Sequence, residues 1–126
     1  MDHAAPQPLI ELFDAECRGH LEAMRAQLAA LGGAGDHAAA LGGLRERLHT
    51  LAGAARAVEL LDVEYLCRAV EGALGDCVDG VDGGRRELAG AAIALIAQLV
   101  AAPGGRTRNQ MLLLVSRCGA ASGARP

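Results

Sequence analysis

The sequence predicts an all-α fold, an antiparallel up-down four-helix bundle with a short fifth helix as an option at its C-terminal end. Of the 126 residues, 52% are hydrophobic but only 2% are aromatic, and alanine and leucine dominate the apolar set. Both residues favour helices, whereas the β-branched and aromatic residues that favour strands are scarce. Apolar residues also recur at steps of three and four, which places them on one face of a helix.

Four helices are predicted from this spacing and from the glycines, prolines and aspartates that interrupt it. They span about residues 8–31, 36–58, 62–74 and 85–101. Asp36 and Asp62 are the predicted N-caps of the second and third helices, since an aspartate side chain accepts hydrogen bonds from free backbone amides. The short connections make consecutive helices antiparallel neighbours.

The chain divides at Pro103. Residues 1–102 are predicted to form the bundle, and residues 103–126 a C-terminal short helix or linker. The segment NQMLLLVSRC fits a fifth helix, but its five consecutive apolar residues fit a strand almost as well. The closing GAASGARP is typical of flexible linkers and suggests further domains in a longer parent protein.

Composition narrows the classes of partner and the compartment. The net charge is −3 and aromatic residues are few, so nucleic-acid binding is not expected. The longest uncharged stretch, residues 88–105, is interrupted by Pro103 and is short for a bilayer span. No secretory signal precedes the four scattered cysteines, which favours a reducing, cytoplasmic setting. As an isolated domain the chain is expected to be a monomer.

Neither a metal, a cofactor nor a nucleotide site is expected in the chain. His20 has helical metal-ligand spacing with Cys17 or Glu16, but so few ligands are thin evidence for zinc. The glycine-rich stretches LGGAGDHAAALGG and DGVDGG do not continue into Gly-Lys-Ser/Thr, so they resemble loops more than phosphate-binding motifs. Whether the chain is part of an enzyme is left open.

The stretch RERLHTLAGAARAVEL carries the main candidate site. His49 lies about 100° round the helix from Leu48 of the apolar seam, and therefore on the helix flank. An isolated flank histidine is usually a plain surface residue. Here, five residues are related by spacings of three, four and seven, which places them on one stripe of the helix: Arg45, His49, Ala52, Gly53 and Arg56.

That stripe predicts a reachable imidazole in a positive environment. Small side chains at Ala52 and Gly53 leave room for the backbone of a partner, and two arginines attract an anion. A glycine inside a helix costs about 1 kcal/mol relative to alanine. Close approach by a partner would explain why Gly53 is tolerated.

Glu71 is the predicted partner of His49. His49 lies eleven residues before Leu60, near the turn between the second and third helices, and Glu71 lies eleven residues after it. In an antiparallel hairpin, equal offsets place two residues at the same height. A carboxylate there accepts the imidazole Nδ1–H and leaves Nε2 unprotonated as a nucleophile.

The stretch HTLAGAARAVEL resembles the phosphoacceptor motif of histidine phosphotransfer (HPt) domains, especially the N-terminal domain of CheA-class chemotaxis kinases. The upstream LFDAECRGHLEAMRAQLAAL is similar to the first helix of that family, and VEYLCRAVEGAL to its third. The likeness covers residues 9 to about 101. It implies an HPt-like bundle in which His49 is the phosphorylation site and Glu71 hydrogen-bonds the phosphorylated histidine.

Two positions depart from the family pattern. The lysine expected three residues after the histidine is Ala52, and the glycine expected ten residues after it is Glu59. The missing lysine removes a cation that would neutralise phosphoryl oxygens, and Arg45 or Arg56 would have to replace it in part.

The resemblance implies a phosphorelay module of two-component signal transduction. His49 would accept a phosphoryl group from the ATP-binding domain of a histidine kinase and pass it to an aspartate of a response regulator receiver domain. The alternative is a degenerate docking or inhibitory bundle that binds a receiver or kinase domain without carrying phosphate, and Ala52 is the residue that motivates it.

Overall fold

The computed structural model describes residues 7–33, 37–77, 81–101 and 108–123, and within these ranges the chain forms helices and no strand. The helices are α1 (Gln7–Leu31), α2 (His37–Ala57), α3 (Leu61–Leu74), α4 (Gly83–Ala101) and α5 (Arg108–Gly123). The all-α prediction is confirmed. The segment NQMLLLVSRC lies in α5, so the helical alternative holds for it and the strand does not.

The first four helices form the bundle. α1 packs against α2 and α4, and α3 packs against the same two helices, which closes a ring of four. The fifth helix lies outside this ring against α3 and α4. It contributes Leu114 and Cys118, two buried residues one turn apart, while Leu113, just before them, is exposed. None of the described helices is long and apolar enough to cross a membrane.

A single core lies between the helices. The seams predicted from apolar spacing supply its centre, and several of their side chains are fully enclosed: Cys17, Met24, Leu44, Leu48, Leu51, Leu66 and Cys67. Burial raises the pKa of the Cys17 thiol to about 11, with a smaller contribution from Asp14. Burial, followed by the neighbouring Cys17, raises the pKa of Cys67 to about 12. Both thiols therefore behave as small apolar groups at neutral pH.

The end of α2 sets the geometry of the turn into α3. The backbone N–H of Leu60 donates to the Ala55 carbonyl at 2.9 Å, and that of Glu59 to the Arg56 carbonyl at 3.1 Å. These two bonds form a Schellman motif, in which the residue after the cap adopts the left-handed conformation. Glu59 occupies that position with a φ of 63°. The family pattern has glycine at this position, and the positive φ explains that preference, because glycine adopts it without steric cost.

Replacing Glu59 with glycine is expected to stabilise the fold by about 1 kcal/mol, because glycine adopts positive φ without the steric cost that a side chain incurs. Urea unfolding followed by circular dichroism measures the difference. Glu59→Ala is the matched control, since it removes the carboxylate but keeps the Cβ atom, and we expect it to give little of the gain. Equal gains from glycine and alanine would point to the charge instead.

The third and fourth helices begin differently from one another. The expectation that Asp62 caps α3 is wrong, because the helix begins at Leu61 with Leu60 as N-cap and no side-chain cap. Asp62 instead lies in the first turn, where its charge interacts favourably with the helix dipole. α4 is capped by Asp82, whose Oδ1 accepts the Arg85 backbone N–H at 2.9 Å. Asp36, the other predicted cap, lies outside the described residues.

Candidate functional site

The hairpin of α2 and α3 brings His49 and Glu71 together. The Nδ1 atom of His49 lies 3.4 Å from Oε2 of Glu71. The imidazole is 72% exposed, whereas the glutamate side chain is only 26% exposed. The pair therefore presents a reachable ring on α2 that is backed by a half-buried carboxylate on α3.

This geometry favours one tautomer of the imidazole. At 3.4 Å the contact is slightly longer than the range of about 2.7–3.2 Å for a closed N–H···O hydrogen bond. It is nevertheless short enough for the carboxylate to stabilise a proton on Nδ1. With the proton there, Nε2 carries a lone pair and the ring can act as a nucleophile.

Arg45 lies on α2 one turn before His49, and its guanidinium is engaged with the neighbouring helix. Its guanidinium reaches the C-terminal end of α3, where it donates to the carbonyl oxygens of Leu74, at 2.5 Å, and Cys77. The Leu74 carbonyl also accepts the Cys77 backbone N–H at 3.1 Å, so the guanidinium binds the turn that follows the last residue of α3. The structure thus gives this arginine a role in joining α2 to α3.

Ala52 and Gly53 differ in their exposure to solvent. The prediction that Ala52 lies on the exposed stripe is corrected by the structure. The Ala52 side chain is fully buried, so it belongs to the core between α2 and its neighbours and not to the exposed flank. The residue lies only 60° from the seam residue Ala55 on the helix, because three residues advance the helix by about 300°. Gly53 is exposed, and a Cβ atom built on it would meet nothing within 4 Å. Within the described part of the chain, no packing contact explains that glycine.

Arg56 takes part in a chain of charged groups along the α2–α3 groove. Its Nη1 lies 3.4 Å from Oε2 of Glu64, and the same oxygen lies 3.2 Å from Nε of Arg68. Arg68 Nη1 is in turn 3.9 Å from Oε1 of Glu71. The chain therefore runs from Arg56 through Glu64, Arg68 and Glu71 to His49.

The sequence analysis missed Glu64 and Arg68, although a signal for them exists. Arg68 follows Glu64 by four residues and precedes Glu71 by three, which is the spacing of ion pairs on one helix face. Glu64 is the one buried charged residue among the described part of the chain. A buried carboxylate needs charged partners, and two arginines supply them.

Two exposed apolar side chains on α3 were also missed. Leu61 is 60% exposed and Tyr65 is 56% exposed. Together with Arg68 and Gly72 they follow each other at steps of three and four on the side of α3 away from the core. This exposed α3 strip (Leu61, Tyr65, Arg68 and Gly72) includes Arg68, which lies 3.9 Å from the Glu71 carboxylate that faces His49.

The other candidate features do not join this site. His20 lies on α1, where Arg47 Nη1 is 3.2 Å from its Nδ1. Burial, followed by the Arg47 cation, lowers the pKa of His20 below its usual 6.5. Among the residues that the structure describes, no group of three or more histidine, cysteine or acidic side chains could hold a metal ion.

Comparison with known families confirms the family that the sequence resembles. A family model described as the Hpt domain matches residues 8–103. The chain belongs to the Hpt domain family. No match was found among the curated proteins or the solved structures. Hpt domains serve phosphotransfer in two-component signalling, where they interact with kinases and response regulators. The matched region of this Hpt domain contains α1 from its second residue, all of α2 to α4, and both members of the histidine–glutamate pair.

Proposed function

We propose that this Hpt domain is a phosphorelay module in which His49 accepts a phosphoryl group from a histidine kinase ATP-binding domain and passes it to a receiver aspartate. The observation that carries the proposal is the exposed His49 imidazole with its Nδ1 3.4 Å from the Glu71 carboxylate. A nucleophilic ring must be both oriented and reachable, and this pair meets both conditions.

The transfer needs little from the protein beyond position and charge. The Nε2 lone pair attacks the γ-phosphorus of ATP on the kinase, the Nε2–P bond forms, and the bond to the β-phosphate oxygen breaks. The Nδ1 proton stays on the ring, which becomes a phosphorylated imidazolium facing Glu71. A receiver carboxylate oxygen then attacks the phosphorus, and the electron pair of the N–P bond returns to Nε2.

The experiment that tests this proposal uses a donor that needs no kinase. The chain is incubated with phosphoramidate, whose P–N bond breaks to release ammonia as the Nε2–P bond forms. Mass spectrometry under alkaline conditions locates the label, and a phosphorylated sample is then mixed with receiver domains. We expect a single phosphohistidine at position 49 and its loss when a cognate receiver is added. A chain that remains unlabelled, or is labelled only elsewhere, would contradict the proposal.

Ala52 favours a second candidate function, a docking or inhibitory bundle that binds a receiver or kinase domain without carrying phosphate. The position that holds a lysine in the family pattern has no charge here and is fully buried. The two candidates differ in one measurement, because the docking bundle would bind a receiver domain while position 49 stays unlabelled by phosphoramidate and by kinase alike.

Gly53 is proposed to make room for the partner that exchanges phosphate with His49. Gly53→Ala is expected to stabilise α2 by up to about 1 kcal/mol, since alanine is the better helix former and the added Cβ atom meets open space. Transfer from phosphorylated His49 to a receiver is expected to slow by roughly tenfold, because a methyl group one turn away would hold the partner back. Stopped-flow mixing with the receiver measures the rate.

Gly19→Ala is the matched control for this substitution. Gly19 lies inside α1 and also has open space around a built Cβ atom. Alanine there should give a similar gain in stability and leave the transfer rate unchanged. Equal transfer rates in the Gly53 and Gly19 variants would remove the proposed role of Gly53.

A further inference from the structure

The charged chain in the α2–α3 groove contains a cation that shares a carboxylate with the imidazole. Glu71 faces His49 with Oε2 at 3.4 Å and Arg68 with Oε1, 3.9 Å from the guanidinium Nη1. Arg68 is therefore separated from His49 by one carboxyl group. The other arginine of the groove, Arg56, lies seven residues from His49, or about 10 Å along the helix axis at 1.5 Å per residue.

Arg68 contacts Glu64 closely and Glu71 only at a longer distance. Its Nε atom lies 3.2 Å from Oε2 of Glu64, within range of a charge-assisted hydrogen bond. Its 3.9 Å separation from Glu71 is too long for a hydrogen bond, and Oε1 of Glu71 is buried without a hydrogen-bond partner among the described residues. The guanidinium is thus anchored through Nε, while its Nη atoms remain loosely engaged. The side chain is 47% exposed, which leaves those Nη atoms able to reach solvent.

Glu64 has two arginine partners, so its charge stays paired if one of them moves away. The Glu64 side chain is only 11% exposed and also contacts Arg56 at 3.4 Å, so it keeps a cation if the Arg68 guanidinium turns. The two glutamates and two arginines balance in charge. A phosphoryl group on His49 adds about two negative charges to this balanced set. The added charge draws the nearest mobile cation toward it.

We propose that Arg68 is the cation that neutralises the phosphoryl oxygens on phosphorylated His49, in place of the lysine that Ala52 lacks, and that Glu64 positions it. The inference rests on the proposed phosphoacceptor function of His49. Arg68 supplies from α3 the charge that the family pattern supplies from α2. Arg45 cannot do so while its guanidinium holds the carbonyls of Leu74 and Cys77.

The predicted effect of Arg68 is on the lifetime of the phosphohistidine. In hydrolysis a water oxygen bonds to phosphorus as the Nε2–P bond breaks, and the electron pair returns to the ring. The transition state is loose and metaphosphate-like, with less negative charge on the peripheral oxygens than the ground state. A guanidinium on those oxygens therefore stabilises the phosphorylated state more than the transition state and slows the loss of phosphate.

The test compares four proteins after labelling with phosphoramidate: the unsubstituted chain, Arg68→Gln, Arg68→Lys and Arg47→Gln. Arg47 is the matched control because it lies on α2 but points to His20 on α1. After removal of the donor, the ³¹P signal of the phosphohistidine is followed at fixed pH, and thermal melting verifies that each variant is folded.

We expect Arg68→Gln to shorten the half-life of the phosphohistidine by roughly two- to fivefold, in line with one partly exposed charged contact. Arg68→Lys should restore most of it, and Arg47→Gln should leave it unchanged. A folded Arg68→Gln variant with the half-life of the unsubstituted chain would overturn the role of Arg68 while leaving the phosphoacceptor role of His49 intact. A chain that takes no label at position 49 would overturn both.

Discussion

Replacing His49 with glutamine is expected to abolish phosphoryl acceptance by this Hpt domain. Glutamine has no nitrogen with an available lone pair, so neither phosphoramidate nor a kinase-bound ATP finds a nucleophile at position 49. The side chain is 72% exposed, and its replacement should change the free energy of unfolding by no more than about 0.5 kcal/mol. Loss of labelling would therefore report chemistry and not unfolding.

The measurement is the stoichiometry of acid-labile, base-stable phosphate per chain after incubation with the donor. His20→Gln is the matched control, because His20 is a second imidazole whose Nδ1 is engaged with Arg47. Burial, followed by that arginine, lowers its pKa, and an imidazole whose Nδ1 accepts from Arg47 carries its proton on Nε2, so neither ring nitrogen offers a free lone pair. We expect the His20 variant to accept phosphate normally. Labelling of the His49 variant at the level of the unsubstituted chain would place the acceptor elsewhere.

Replacing Arg45 with methionine is expected to destabilise the fold by about 2 kcal/mol. Methionine keeps the apolar stem of the side chain but removes the charged donors to Leu74 and Cys77, and hydrogen bonds to charged groups contribute about 1.5–3 kcal/mol each when buried. Both hydrogen bonds are only partly buried, so we expect the two together to contribute about 2 kcal/mol, in the lower part of the range for one buried bond. Urea unfolding at neutral pH gives the difference in free energy.

Arg25→Met provides the control, since Arg25 is an exposed arginine of α1 and should tolerate the change within about 0.5 kcal/mol. The lifetime of the phosphohistidine separates two roles for Arg45. A purely structural role leaves that lifetime as it is in the unsubstituted chain. A shortened lifetime in a folded Arg45→Met protein would restore the phosphate-binding role that the helical spacing predicted.

The sequence was sufficient to predict the first four helices and the juxtaposition of His49 with Glu71, whereas it left the fifth segment open between helix and strand. Apolar steps of three and four identify one face of a helix, and the seam residues Leu44, Leu48 and Leu51 are all buried. Rise per residue is the same in both helices of a hairpin, so equal offsets from Leu60 translate into equal heights. These arguments require only regular geometry along one or two elements.

Other parts of the site depend on where neighbouring helices lie. Helical spacing gave the angular position of Ala52 but not how closely adjacent helices cover it, so a fully buried residue was assigned to an open flank. Arg45 binds carbonyls near the end of α3, and its reach to Leu74 and Cys77 depends on the path of the chain after that helix. Helical spacing could have identified Arg68 as a partner of Glu64 and Glu71. Its link to His49 became visible only because Glu71 contacts both Arg68 and His49.

The position of α5 determines how a partner can approach. α3 packs against α2, α4 and α5, so three neighbours enclose it and the strip of Leu61, Tyr65, Arg68 and Gly72 remains as its open side. A protein that docks on α3 would have to use this strip. Its contact surface would include Arg68, which shares the Glu71 carboxylate with His49. For a transfer partner that docks on α3, the packing of α5 would thus limit the approach to the side of the helix that carries Arg68.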